Sequence, residues 1–336
     1  MDRRPAVVLL MRKESVGYYS IERLFESLIP FFGQHFAVKI MRVPCHSNGM
    51  LHCFRNLIFA ARLRADVIHV TGDIYYCALA VRRRQCVLTM HDLCSVNRLT
   101  GLRKLILRLF WYSLPLRWTR YITAISEETR GELERQFGTA IGKIELIPNC
   151  VDEAFKCGQF SQHRPGRRQV LQIGTGMNKN LERVAAAVAG LSAHLRIIGR
   201  LSRDQITFLN SLDLDWSAVA DLSTKELVDE YLNSDVLIFA SIYEGFGLPI
   251  IEAQAIGVPV VTSDFAPMTD TAGDAALFVD PYDNHSIRTS LERLFSSREL
   301  SAGLVELGKK NVGRFDAKAV AGQYAAIYWR ILGARK

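Results

Sequence analysis

The sequence predicts an α/β protein built as two Rossmann-like, doubly wound parallel-sheet domains, and three observations predict it. Short runs rich in Val, Ile and Leu alternate with helical patterns along the chain, which is the signature of parallel strands covered on both faces. The chain has 336 residues, near the size at which one core divides into two. The stretch HRPGRR, His163–Arg168, reads as a linker separating two six-strand series.

In the first series the expected strands are Ala6–Met11, Ala37–Val43, Val67–Thr71, Cys86–His91, Tyr121–Ile125 and Ile144–Pro148. The apolar run Ala6–Met11 follows a basic start but is too short for a signal peptide, so it reads as a first buried strand. Ser126, with Glu128 and Thr129 after it, reads as the cap of a helix. In the second series the expected strands are Val170–Ile173, Leu195–Ile198, Ala218–Asp221, Val236–Ala240, Val258–Thr262 and Leu277–Val279. A helix is expected near Ala317–Leu332, carrying Tyr324, Tyr328 and Trp329. No low-complexity segment or short-period repeat interrupts this order.

Composition narrows the setting. No run of 18 uncharged apolar residues occurs, so no transmembrane helix is expected. Seven cysteines, an odd number without a C-x-x-C pair, point to reduced thiols and a cytoplasmic protein; Cys94 beside His91-Asp92 reads as a small buried hydrophobe. The net charge of +8 belongs to the first half, since residues 1–160 hold 23 Lys/Arg against 14 Asp/Glu, and residues 161–336 hold 19 against 20. Six of those cations lie in Arg98–Arg120 among Phe110, Trp111, Tyr112, Trp118 and several leucines, with no acid between them. Such a segment suits an anionic membrane surface, placing the protein peripherally on the inner face of the membrane. The competing reading is a buried core helix, and a nucleic-acid partner fits worse because apolar residues dominate and no nucleic-acid motif accompanies them. Oligomeric state is not legible.

Ser241–Gly257, SIYEGFGLPIIEAQAIG, carries the most chemistry. A helix beginning near Leu248 would aim its free N–H groups and positive dipole end into the turn before it. Gly245 and Gly247, on either side of Phe246, would let an anion approach that backbone. Glu252 would stand further along the helix, within reach of a ribose, and Glu244 before the turn would face the group at the other end of a diphosphate. A phosphate cradle flanked by two hydroxyl acceptors describes a nucleotide-sugar site. The loop after the seventh expected strand, IGTGMNKN (Ile173–Asn180), has Gly174 and Gly176 but lacks the third glycine and the ribose-binding acid of a dinucleotide fold. Lys179 stands where the next helix begins, where it would neutralise a departing diphosphate.

EGFGLPIIEAQAIGVPVVTS resembles the E-x7-E donor-binding motif of retaining family 4 glycosyltransferases. The resemblance extends to VLQIGTGMNKN, where many members have an arginine in place of Thr175, to His91-Asp92-Leu93, to TAISEETRGEL and to IPNCVD. It implies the GT-B fold, with the two domains facing a central cleft. Residues 1–163 would bind the acceptor, 168–315 would bind the donor, and the closing helix within 316–336 would pack back on the first domain. It assigns Glu244, His91 and Lys179 to catalysis. To donor binding it assigns Gly17, Gly174, Thr175, Asn180, Gly245, Phe246, Gly247, Leu248 and Glu252, with Arg200 a substitute for the absent arginine.

The implied function is transfer of a sugar with retention from a GDP-, UDP- or dTDP-sugar to a glycan or lipid-linked acceptor, in assembly of bacterial cell-surface polysaccharide or lipopolysaccharide. Front-face attack would deliver the acceptor proton to the leaving phosphate. No H-x-x-x-H or D-x-D in a convincing loop appears, so the sequence requires neither a metal nor another cofactor. Two alternatives are a nucleotide-sugar epimerase and a noncatalytic GT-B partner subunit.

Overall fold

The computed structural model describes residues 4–14, 20–93, 101–138, 144–156 and 168–334. The chain forms two units. The first comprises residues 1–150 with 317–336, and the second residues 151–316. The division falls after Cys150, ahead of the expected linker at 163–168. Residues 151–156 belong to the second unit through their contacts: the Val151 N–H donates to the Phe315 carbonyl, Phe155 meets Tyr231 edge-on, and Lys156 pairs with Asp316.

In the first unit the strands are β1 (Ala6–Met11), β2 (Ala37–Arg42), β3 (Val67–Val70), β4 (Cys86–Met90), β5 (Tyr121–Ala124) and β6 (Ile144–Leu146), paired in parallel in the order β2-β1-β3-β4-β5-β6. β1, β3 and β4 are almost wholly buried and apolar apart from His69 and Thr89, as suits parallel strands between two helical layers. The helices Ser20–Phe32 and Ala317–Gly333 share one core, with Phe25, Phe32, Tyr324, Ile327 and Tyr328 buried on Val7, Leu9 and Val67. The His69 ring, buried in β3, bonds the Tyr328 hydroxyl through Nδ1 and Thr89 through Nε2, both at 2.7 Å. The other core holds Leu10, Ile68, Val70, Leu88 and Met90 with helix Met50–Arg62, the short 3₁₀ turn Tyr75–Ala80 and the helical segment Gly101–Trp118.

The second unit repeats the plan with β7 (Arg168–Ile173), β8 (Ala193–Ile198), β9 (Asp215–Val219), β10 (Val236–Phe239), β11 (Val260–Ser263) and β12 (Leu277–Val279), all parallel in the order β12-β11-β10-β7-β8-β9. The ninth strand lies earlier than the expected Ala218–Asp221. Asp221 takes φ 60, a left-handed conformation that ends an extended run, while Asp215 and Ser217 are drawn into the sheet by bonds to His194 and Arg196. Strand order reverses between β1 and β3 in the first sheet and between β7 and β10 in the second. Ligands of open α/β sheets bind beyond the strand carboxyl ends at such reversals.

Candidate functional site

Two loops leave the reversal point of the second sheet, residues 174–180 after β7 and 240–247 after β10, and the structure ties them together. The Ile242 N–H donates to the Asn178 carbonyl at 2.8 Å. Lys179 Nζ lies 2.6 Å from Glu244 Oε1, with both side chains mostly shielded from solvent. Asn178 Nδ2 adds bonds to Glu244 Oε1 at 3.2 Å and to the Tyr243 carbonyl at 3.1 Å. The Lys179 ammonium also rests 4.6 Å from the centre of the Phe239 ring. Gly174 makes this possible: its φ is +90, and a Cβ there would meet Lys179 Cγ and Cε at 2.9 Å. The lysine stem therefore lies along bare backbone, and its cation is carried back over the turn to Glu244.

The second half of the turn opens the helix Leu248–Ile256. Gly247 is its N-cap at φ 102, and Pro249 in the first turn has no N–H to leave unsatisfied. This helix is apolar nearly all round, with Ile250, Ile251, Ala253, Gln254 and Ile256 buried, so its direction is fixed by the core and its N-terminus is held at the loop pair. The turn is anchored from behind. Phe246 is buried edge-on to Phe315, and its carbonyl accepts from Thr271 Oγ1 at 2.7 Å. Glu252, the helix's acidic residue, accepts from the buried Tyr231 hydroxyl at 2.7 Å through Oε2. Burial, reinforced by the Glu252 charge, pushes the Tyr231 hydroxyl well above its usual range, so it remains a donor.

Thr175 and Arg200 are joined in another way. Thr175 Oγ1 donates to the Arg200 carbonyl at 2.7 Å, and its methyl fills the space above Gly199, where a Cβ would sit 2.8 Å away. The Arg200 guanidinium, largely exposed, pairs at 2.5 Å with Asp221, so its charge is answered there. Asn180, expected among the donor-binding residues, is buried and faces inward. Its amide donates to the Ala240 carbonyl at 3.0 Å and to the Pro281 carbonyl at 2.7 Å, while its backbone adopts φ 58. Its side chain is thus an anchor of the loop, not a group offered to a ligand. Asn178, Phe239 and Tyr231 escaped sequence reasoning. Asn178, beside Lys179 in the same loop, carried a local signal; the other two are met only through folding.

His91 stands in the first unit after β4, 5% exposed. Its Nε2 lies 2.7 Å from the Thr71 carbonyl, which assigns the ring proton to Nε2 and leaves Nδ1 as an acceptor. Burial holds the imidazole down to about 4, opposed by the Thr71 bond, so it is neutral at pH 7. Arg12, after β1, makes a two-pronged pair with Glu22 at 2.7 and 3.1 Å. Asp73, after β3, accepts from Trp111 Nε1 at 3.0 Å; burial, then the charge of Asp92, raises it to about 6 against the pull of Trp111 and Arg12. Gly17 and Cys94 lie outside the described residues. Among the described residues no cluster of three His, Cys, Asp or Glu side chains could hold a metal ion.

The family model described as glycosyl transferases group 1 matches residues 161–311, and the model described as Glycosyltransferase Family 4 matches residues 25–155. The chain is 22% identical over 229 residues to the O-antigen chain mannosyltransferase RfbU of Salmonella typhimurium, a match covering 63% of this chain and 61% of that protein. It spans about three fifths of the length of the first curated relatives it matches. Among solved structures, sucrose-phosphate synthase from Thermosynechococcus elongatus superposes with a TM-score of 0.79 at 19% identity, covering 98% of this chain and 100% of that one. Anabaena HepE in complex with UDP-glucose superposes at 0.76 and 15% identity, covering 96% and 99%.

Proposed function

The chain belongs to glycosyltransferase family 4 and has the GT-B fold, and from that premise we propose that it transfers a sugar from a nucleotide-sugar donor to a glycan or lipid-linked acceptor in cell-surface polysaccharide assembly. The observation that carries the reading is the Lys179–Glu244 pair, 2.6 Å apart, held over Gly174 at the strand-order reversal and next to the N-terminus of helix Leu248–Ile256. A diphosphate at that N-terminus would find backbone N–H groups, a positive dipole end and the Lys179 ammonium within one turn. Glu252, on that same helix and a hydrogen-bond acceptor toward Tyr231, is the acid we assign to the ribose hydroxyls.

Transfer would proceed with retention. As the bond from the anomeric carbon to the diphosphate lengthens, negative charge grows on the leaving oxygen, where Lys179 and the helix N-terminus stabilise it. The acceptor hydroxyl attacks on the same face and its proton passes to the leaving phosphate. Glu244 holds Lys179 in place and hydrogen-bonds the sugar. His91, in the first unit, is neutral with its proton fixed on Nε2 and Nδ1 left as an acceptor. Support for a polysaccharide or lipopolysaccharide setting comes from the O-antigen mannosyltransferase relative, and support for a nucleotide-sugar donor from the neighbour bound to UDP-glucose.

The test is calorimetric titration with UDP, GDP, dTDP and their common sugar conjugates, beside Lys179→Ala and Glu252→Ala variants. Binding of one nucleotide series, weakened at least tenfold in each variant, supports the reading. Equal affinity in all three proteins refutes the assigned roles.

A further inference from the structure

We propose that one helical face of the first unit is a docking surface for an anionic phospholipid bilayer, formed by helix Met50–Arg62 and segment Gly101–Trp118 together. The proposal goes beyond the transferase reading and does not depend on donor chemistry.

Helix Met50–Arg62 turns Cys53, Asn56 and Ala60 into the core. Its opposite side leaves Met50, Leu51, Phe54 and Ile58 in solvent at 87, 63, 59 and 37% exposure. That spacing makes a single apolar stripe, flanked by the exposed Arg55 and Arg62. Segment Gly101–Trp118 repeats the arrangement. Tyr112, Pro115 and Leu116 are buried, while Leu105, Ile106, Leu109, Leu114 and Trp118 are exposed, so it is half a core helix and half an apolar surface.

The two stripes belong to one surface because both elements pack against Tyr75–Ala80. Tyr76 joins them directly: its hydroxyl takes a hydrogen bond from Asn56 at 2.8 Å, and its ring lies 4.3 Å from Trp111 and 5.7 Å from Phe110. Below them Trp118 Nε1 donates to the Val81 carbonyl at 3.1 Å, setting the indole beside the exposed run Arg82, Arg83 and Arg84.

Charge identifies the occupant. Between Glu26 and Glu127 the sequence holds 14 Lys/Arg and three acids. None of those three is exposed: Asp66 accepts from the Ala6 N–H, Asp73 from Trp111, and Asp92 is half-buried. The surface therefore presents apolar stripes and arginines with no exposed acid among the described residues. The next helix, Glu127–Phe137, marks its border with four glutamates. A soluble acidic protein would match the arginines but would leave bulky apolar side chains facing its own charges; a bilayer takes the stripes into its acyl boundary and the arginines onto its headgroups. Not every cation contributes. Arg108 is turned onto the Phe137 ring and the Gln136 carbonyl, whereas Arg82–Arg84, Arg55, Arg62 and Arg117, exposed next to the stripes, are the headgroup contacts. Among the described residues no helix is long and apolar enough to cross a membrane, so contact would be with the surface.

The test is co-sedimentation of the full chain with vesicles of phosphatidylcholine alone or with about 30% phosphatidylglycerol, without nucleotide sugar, so that failure of the transferase reading leaves it untouched. Wild-type protein should bind the anionic vesicles and not the neutral ones. Phe54→Gln with Leu105→Gln, and separately Arg83→Glu with Arg84→Glu, should each weaken binding by roughly tenfold or more. Lys225→Glu, exposed in the second unit, should bind as wild type does. These positions are solvent-facing, so unchanged melting temperatures will show that the variants fold. Equal binding to neutral and anionic vesicles, or full binding by either double variant, overturns the proposal. So does a lipid-free dimer in analytical ultracentrifugation that the Phe54/Leu105 variant dissociates, because the face would then be covered by a second copy.

Discussion

Gly174→Ala isolates the feature on which the donor site turns. The added methyl would sit 2.9 Å from Lys179 Cγ and Cε and 3.1 Å from Cδ. Ordinary carbon contacts are about 3.5–4.0 Å, so the stem must retreat by about 0.6 Å or more along most of its length. Because the clash begins at Cγ, no swing of the ammonium alone relieves it, and the 2.6 Å bond to Glu244 is lost or lengthened. An alanine at φ +90 also carries a backbone cost of about 1–2 kcal/mol, which lowers the melting temperature by about 4 °C in a unit of this size. Loss of a charge-assisted contact to diphosphate, about 1.5–3 kcal/mol, weakens nucleotide affinity roughly tenfold or more. Gly190→Ala separates the two effects: φ is +73 there, yet the nearest atom to a new Cβ is 3.8 Å away and Lys179 is not involved. Differential scanning calorimetry and titration with whichever nucleoside diphosphate the wild type binds should show both variants less stable and only Gly174→Ala weakened in binding. Undiminished affinity in Gly174→Ala would refute the claim that this glycine positions the lysine.

Asn180→Ala removes two buried hydrogen bonds and places alanine at φ 58, so urea unfolding should show a loss of about 3 kcal/mol; a loss within 0.5 kcal/mol, roughly the scatter of surface changes, would deny Asn180 its anchoring role. Glu252→Ala leaves the buried Tyr231 hydroxyl without its carboxylate and should lower stability by about 1–3 kcal/mol, whereas Glu252→Gln keeps an acceptor and should restore most of it; equal melting temperatures in the two variants would contradict this. Stability should also fall with acid. His69 and His91, held down to about 3 and about 4 mainly by burial, stay neutral in the fold while unfolded histidines protonate below 6.5. The unfolded chain then binds more protons, so stability is fully present above pH 6.5 and declines below it at about 1.4 kcal/mol per pH unit for each histidine. Asp73, raised to about 6 from 3.8, takes its proton earlier in the fold and offsets one histidine's slope within that window. A melting temperature constant from pH 7.5 to 4.5 would contradict this assignment.

Much of the fold was legible because it is written in short windows. All twelve strands seen among the described residues were expected, eleven of them within about two residues of their observed ends, since a buried parallel strand needs only a local run of apolar residues. The helix start at Gly247-Leu248 was legible for a similar reason: a left-handed glycine followed by proline in the first turn specifies it locally. Segment 98–120 was legible only in part. Composition offered an interfacial helix or a core helix, and the described part of the segment buries one apolar face and exposes another, because its faces were divided by Tyr76 and Val81, which lie far from it in sequence.

The sequence by itself determined the two α/β units, the glycine turns and the residue types that suit a diphosphate. Only the tertiary structure decided where strand order reverses, and hence that the loops after β7 and β10 meet. It set Lys179 against Glu244, Glu252 against Tyr231, and Thr175 over Gly199, and it turned the Asn180 amide inward. It also drew the tyrosines of helix Ala317–Gly333 onto His69. Each of these contacts joins residues some 20 to 260 positions apart, and hydrophobic periodicity carries no information about which distant partner a side chain will meet.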